Sequence, residues 1–432
     1  MRQSSGSWSW SEILSRLTDK EIAELIADWL PWARPDQAPD QLWTRRWQHW
    51  LILGGRGAGK TRAGAEWVKA KVEGRDWTGA PARRIALIGA SLDEARAVMV
   101  EGVSGLLAVH DDDMRPGYEP SKRLITWPNG AVAQIFSGED PDSLRGPQFD
   151  TAWCDELAKW RYPQASWDML QFGLRLGSPQ VAITTTPRPL ELIKRMIGDP
   201  ALVVSRAETW RNEGNLATEF IAEMKRRYLG TKLGRQELDA EVIADDPDAL
   251  FRRDWIEATR VAEAPELRRI VVAIDPPAGK GPGGNACGII AAGLGSDSRA
   301  YVIDDATVTG KSPAQWAARA VAIYHARKAD RIVAEVNQGG AMVEAVLREV
   351  DATVAYRAVS ASRGKRARAE PVAALYEQGR VSHVGSFPAL EDEMCSWHGD
   401  GEASPDRLDA LVWALSELML GPRRAEPRVW LL

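Results

Sequence analysis

Cysteine is scarce. Cys154, Cys287 and Cys395 are the only three in 432 residues, and they lie too far apart in sequence for a zinc spacing or a disulfide framework. Their scarcity fits a reducing compartment. No run approaches the roughly 18 apolar residues of a membrane-spanning helix, so no membrane association is expected. The opening residues, MRQSSGSWSWSEIL, lack an apolar core, so no secretory signal is expected either. An excess of positive charge is also missing. The formal net charge is −5, so any contact with nucleic acid must come from a local patch.

What is present suits a sizeable core. Hydrophobic residues make up 44% and charged residues 27% of a length that suits two or three domains. The 19 tryptophans are unusual, and as large amphipathic fillers most belong to packing.

The chain is organised around Trp50–Thr61, WLILGGRGAGKT. An apolar run meets Gly54-Gly55-Arg56-Gly57-Ala58-Gly59-Lys60-Thr61, which fits the phosphate-binding (Walker A) pattern G-x-x-x-x-G-K-[ST]. A helix-compatible stretch follows at Arg62–Val68. Strand, glycine loop and helix is the context that the pattern requires. Glycines let backbone N–H groups point at a phosphate, and the helix N-terminus adds positive partial charge. Lys60 then reaches the β- and γ-phosphates, and the Thr61 hydroxyl holds Mg²⁺. Upstream, Asp19–Leu30 has helical apolar spacing, and Pro31 stops it. Gln48, just before the strand, either reads an adenine edge or is a solvated helix residue.

Arg84–Gly89 reads as a second buried strand, and Ser91 as the cap of the helix after it. Leu124–Phe136 reads as a hairpin about Pro128-Asn129-Gly130. Phe149–Glu156 reads as a strand ending in two acids. About a hundred residues past a phosphate loop, that pair forms a second (Walker B) motif. Asp155 holds the Mg²⁺ shell, and Glu156 orients and deprotonates the attacking water. Val181–Pro187 ends a further strand in Thr184, Thr185 and Thr186, beside the γ-phosphate or as β-branched filler. Two arginines compete to stabilise transition-state charge: Arg56 in the loop and Arg145 before the acidic strand. Either could instead be a surface ion pair. Alternating strands and helices to about residue 240 imply a mostly parallel sheet with helices on both faces.

The text changes near 245–265, an acidic, proline-bearing segment. The expected organisation is an ATPase domain at 1–245 with a helical N-terminal segment, a linker at 246–266 and a second domain at 267–432. There Arg269–Pro277 reads as an apolar strand ending in Asp275, and Arg331–Glu335 as another ending in Glu335. A helix beginning near Pro405 carries Asp406 and Asp409, three apart and near one face. Acids at strand ends and a helix start can converge on two Mg²⁺ or Mn²⁺ ions, the arrangement that cleaves phosphodiesters. This order resembles the ribonuclease-H-like nucleases. The basic text Ser360–Arg368 either meets DNA phosphates or is a solvated loop.

Taken together, GGRGAGKTRAGAEWV, SLRGPQFDTAWCDE, AITTTPRP, VAIDPPAG, VAEVNQGG, KRARAEPVAALYEQGRV and SPDRLDALVWAL resemble the large terminase subunit of tailed double-stranded DNA bacteriophages and related gene transfer agents. The resemblance runs from about Trp43 to Leu420. It implies an α/β chain with a P-loop ATPase domain followed by a ribonuclease-H-like nuclease domain. It implies a packaging motor in which ATP hydrolysis drives double-stranded DNA into a procapsid and a two-metal endonuclease cuts concatemeric DNA. Implied partners are DNA, the portal protein and the small terminase subunit. The implied state is a monomer when free and a ring on the portal, in the host cytoplasm. By position, Gly55–Thr61 and Asp155 take the nucleotide and metal roles, Glu156 the base, and Thr184–Thr186 the coupling of hydrolysis to movement. Asp275, Glu335, Asp406 and Asp409 match the nuclease metal ligands. The family leaves open whether its arginine finger acts within or between subunits, so Arg56 and Arg145 stay rivals. The chain departs from the family where Thr151, Trp153 and Cys154 interrupt an aliphatic acidic strand. An ATPase-nuclease of DNA repair or resolution is the alternative.

Overall fold

The computed structural model describes residues 15–19, 21–22, 25, 28–228, 232–243, 245–246, 248–277, 286–336, 340–361, 364–399 and 405–420. Part of the expected helix 19–30, the text 278–285, Asn337-Gln338-Gly339, and Ser362-Arg363 of the basic stretch lie outside them. The chain divides into two units, Met1–Ala244 and Asp245–Leu432.

The first unit is built on a sheet whose strands are β1 (His49–Gly54), β2 (Arg84–Gly89), β3 (Gly117–Glu119), β4 (Leu124–Thr126), β5 (Val132–Ser137), β6 (Thr151–Asp155), β7 (Gln180–Thr185) and β8 (Val203–Ala207). Their order is β3-β4-β5-β2-β6-β7-β1-β8. From β5 to β8 all pairs are parallel. Only the β3-β4-β5 edge is antiparallel, with Gly130 at φ 82° turning the expected hairpin. Trp50-Leu51-Ile52-Leu53 of β1 is fully buried, because a central parallel strand is covered on both faces and so reads as a continuous apolar run. One face packs on α1 (Lys60–Glu73) through Trp67 and Val68. The other packs on α2 (Pro163–Gly173) and α3 (Glu191–Gly198) through Trp167, Leu170 and Ile193.

The second unit has β9 (Leu267–Asp275), β10 (Ala286–Gly295), β11 (Ala300–Asp305), β12 (Val308–Thr309), β13 (Arg331–Glu335), β14 (Tyr356–Val359) and β15 (Val381–His383). The order is β14-β13-β9-β10-β11-β15, with β12 paired to β10. The β9-β10-β11 core is antiparallel, and β13 lies parallel to β9. This is the mixed sheet that the resemblance to the ribonuclease-H-like nucleases implies. One face carries α4 (Arg253–Thr259), α7 (Lys365–Glu377), α8 (Pro388–Met394) and α9 (Asp406–Leu415). The other carries α5 (Pro313–Ala326) and α6 (Gly340–Val350).

The stretch 246–266, expected as a linker, is built into this unit. Phe251 and Ile256 are buried in its core. The acids of the segment have structural partners, since Asp245 accepts from Arg253, which also donates to Asp392, and Asp246 lies 3.2 Å from His398. Glu391 is fully buried and accepts two bonds from Arg260, at 2.8 and 3.0 Å. Its Oε1 also lies 2.9 Å from His383 Nδ1, whose Nε2 lies 2.7 Å from the Tyr376 hydroxyl. Burial alone would raise the Glu391 carboxyl, but Arg260 and His383 hold it well below its ordinary value. Burial lowers His383, so its ring is neutral, donating from Nδ1 and accepting from Tyr376. Arg260 also donates to the partly exposed Glu257, at 2.6 and 2.9 Å, so Glu391→Gln removes its one fully buried partner and should cost about 3 kcal/mol of this unit's stability. Urea unfolding of the full chain measures it. An unchanged transition would mean that Glu257, Asp245 and Asp392 neutralise the arginines by themselves.

Candidate functional site

β1 delivers its C-terminal end, Gly54, to the loop that opens α1. Side chains from elsewhere take four consecutive loop carbonyls. Thr209 Oγ1 donates to Arg56 O at 2.7 Å, Asn212 Nδ2 to Gly57 O at 2.7 Å, Arg34 Nη2 to Ala58 O at 2.6 Å and Gln37 Nε2 to Gly59 O at 3.2 Å. With its carbonyls held outward, the loop is a preorganised cradle rather than a flexible glycine turn. Sequence reading missed this collar, because its members lie 22 and 24 residues before, and 153 and 155 after, the loop residues they hold and follow no local pattern. The loop borders a cleft of about 1030 Å³ that includes Lys60, Thr61, Glu156 and Thr186. Seven of its lining residues are Lys or Arg and two are Glu, so it suits a polyanion.

Lys60 Nζ donates to Gly54 O and Gly55 O at 2.9 and 3.0 Å and lies 3.6 Å from Glu156 Oε1. The parallel pairing of β6 with β7 sets Asp155 beside Thr184, whose hydroxyl donates to Asp155 Oδ1 at 2.5 Å. Burial, and then the charge of Glu156, raise Asp155 to about 7. Glu156 follows the strand in a left-handed conformation, φ 49°, which turns its side chain into the cleft. Burial would raise it too, but Lys60 and Lys159 hold it below its ordinary value. The Thr186 backbone N–H and hydroxyl both reach Glu156 Oε2 at 3.4 Å.

The unusual Trp153 has a definite place. A Cβ on Gly64 of α1 would come within 2.3 Å of its ring, so only glycine lets α1 lie this close to β6. The Trp153 indole N–H donates to Thr184 Oγ1 at 3.0 Å, which fixes the hydroxyl that serves Asp155. A bulky residue in place of an aliphatic one thus leaves the strand register intact.

Two expected positions differ. Gln48 is exposed at the start of β1, about 20 Å of strand away from the loop at the other end, so it reads no base here. Gln37, from the PDQAPD stretch, lines the cleft instead. Arg56 lines the cleft, but its guanidinium is 71% exposed and donates to Glu237 at 2.9 Å. Arg145 is 73% exposed and lines a separate pocket of about 240 Å³ with Met169, Phe172 and Arg175. It therefore lies outside its own subunit's cleft.

In the second unit, β9 ends in Asp275 and β13 in Glu335, while α9 starts at Asp406. A Cβ on Gly288 of β10 would meet the Asp406 carbonyl at 2.0 Å, so this glycine allows the helix N-terminus onto the sheet. Burial raises Asp275 to about 8, with Asp409, Glu335 and Asp406 adding in that order. The four predicted acids therefore share one electrostatic environment. Among the described residues no three His, Cys, Asp or Glu side chains come within metal-holding range. Two of the acids pair with cations. Lys365 donates to Asp409 at 2.9 Å, and Arg368 to Glu335 at 3.4 Å. Trp413 also donates to Glu335, at 2.8 Å, with Arg368 stacked 4.7 Å above its ring. The basic stretch expected to meet DNA or solvent is thus engaged, at Lys365 and Arg368, with the acids.

Two family descriptions match the sequence. "Terminase large subunit, T4likevirus-type, N-terminal" covers residues 51–258, and "Terminase RNaseH-like domain" covers residues 272–418. No curated protein matches it. Among solved structures, the large terminase of a thermophilic bacteriophage in complex with ADP is 13% identical, covering 94% of this chain and 100% of that one at a TM-score of 0.42. The bacteriophage HK97 large terminase is 13% identical over 93% of this chain and 95% of that one, at a TM-score of 0.37. A bacteriophage Sf6 large-terminase fragment with calcium is 17% identical over 39% of this chain and 98% of that one, at a TM-score of 0.31.

Proposed function

The chain belongs to the large terminase subunit family, and from that premise we propose a viral DNA-packaging motor. Its first unit hydrolyses ATP to translocate double-stranded DNA into a procapsid, and its second cuts concatemeric DNA. The observation that carries the reading is the meeting, in one basic cleft, of the Lys60 cradle with the Asp155–Glu156 strand end. The four-acid environment of the second unit supports the cutting role.

In this reading the loop and Lys60 bind the β- and γ-phosphates. Glu156, anchored by Thr186 and kept ionised by Lys60, accepts the proton of the attacking water. Thr184 and Thr186 join both acids to β7, so loss of the terminal phosphate is felt along that strand. Thr61 and Asp155 form an all-oxygen donor pair suited to Mg²⁺, which when bound neutralises phosphate charge. Asp275, Glu335, Asp406 and Asp409 are likewise hard oxygen donors, and burial, then the charges of the other three, raise Asp275. They suit two Mg²⁺ or Mn²⁺ ions, which supply an activated water and charge neutralisation. Lys365 and Arg368 hold the acids until they are engaged.

The proposed partners are the portal protein and the small terminase subunit, with a free monomer forming a ring on the portal in the host cytoplasm. Among the described residues no helix is long and apolar enough to cross a membrane. The test combines the chain with portal-bearing procapsids, linear double-stranded DNA and ATP. Nuclease-protected DNA should accumulate with the native chain and not with Lys60→Ala. ATP turnover without any protected DNA, under conditions where procapsids package with another motor, would sink the packaging role.

A further inference from the structure

We propose that Arg188 is a catalytic residue acting within its own subunit, its guanidinium binding the terminal phosphate as charge develops there. The proposal rests on the reading of the cleft as an ATPase site. It adds a third arginine to the two that the sequence suggested. Arg188 lines the cleft together with Lys60, Glu156 and Thr186. Arg145 does not line it.

Four further arginines of the cleft pair with acids outside the catalytic pair: Arg34 with Asp36, Arg56 with Glu237, Arg62 with Glu66 and Arg211 with Glu208. Arg188 shares the cleft lining with Glu156 itself.

The backbone around Arg188 is stiff. It lies between Pro187 and Pro189, so its own φ and ψ are restricted by the following ring. Its N–H donates to Thr186 O at 3.0 Å, and Thr186 in turn holds Glu156. The loop leaving β7 therefore places base and cation together, and little ordering remains when the nucleotide binds.

In the step itself, the oxygen of water bonds to the γ-phosphorus while the bond from phosphorus to the bridging oxygen breaks. That electron pair leaves on ADP, the water proton passes to Glu156, and Arg188 faces the negative charge gathered on the phosphoryl oxygens.

The experiment compares wild type, Arg188→Ala, Arg188→Lys and Arg188→Met by steady-state turnover and by competition of ADP and ATPγS against a fluorescent nucleotide. Arg188→Ala should lose about 10²–10³-fold in kcat, the scale for one transition-state donor. Its affinity for ATPγS should fall about tenfold while its affinity for ADP stays within about threefold, because only the former has a terminal phosphate to meet. Arg188→Lys should recover ATPγS affinity more than turnover, since an ammonium supplies charge without the fork. Arg188→Met keeps the side-chain bulk and replaces Arg188→Ala if that variant does not fold. Turnover within threefold of wild type, or equal losses for ADP and ATPγS, overturns the proposal. If wild type and Lys60→Ala bind neither nucleotide, the ATPase reading fails and takes the proposal with it.

Discussion

Glu156→Gln is expected to lower ATP turnover by about 10²–10⁴-fold while ATP binding survives, the range set by loss of a positioned base. The amide keeps the shape of the carboxylate and can still accept from the Thr186 N–H and hydroxyl. It cannot take a proton from water. Binding survives because the cradle is held by Arg34, Gln37, Thr209 and Asn212, none of which touches Glu156. Removing a negative charge 3.6 Å from Lys60 leaves that ammonium more available to phosphate. Steady-state hydrolysis measured beside equilibrium nucleotide binding separates the two effects. Turnover within tenfold of wild type would take Glu156 out of the base role.

The second large effect belongs to the other unit. Asp275→Ala should abolish Mn²⁺-dependent plasmid cutting, a loss of about 4 kcal/mol or roughly a thousandfold, and leave ATP turnover intact. Asp275 stands where the charges of Glu335, Asp406 and Asp409 all reach it. Its removal therefore takes away the donor common to that environment. Folding should not suffer, since burial and three like charges make this carboxyl a destabilising group as it stands. Cutting assayed by plasmid linearisation, with melting of the same preparation, decides the matter. Surviving cleavage by a folded variant would mean that the acids at the strand ends do not form the nuclease site.

How far a residue's role could be read from sequence follows from how local its cause is. The phosphate loop was legible because its pattern is contiguous and its β1 strand, buried on both faces, is a continuous apolar run. The acids Asp155, Asp275 and Glu335 were legible because strands β6, β9 and β13 end in them. Gln48 stayed between two readings because nearness in sequence says nothing about which end of a six-residue strand a side chain occupies. The segment 246–266 looked like a hinge because an acid paired with a buried arginine has the same composition as an acid in water.

The sequence by itself thus determined the family and the order of the two units, and it supplied the candidate residues of both proposed sites, since each is written as a strand, a loop or a helix start. Only the tertiary structure decided what surrounds them. It brought Arg34, Gln37, Thr209 and Asn212 onto the loop carbonyls. It set Trp153 against Gly64 and Thr184, placed Lys365 on Asp409 and Arg368 on Glu335, and put Arg188 rather than Arg145 in the cleft. The hydrogen bonds among them join residues from 22 to 155 positions apart. Strand order and close packing fix them, and neither leaves a local signature in the chain.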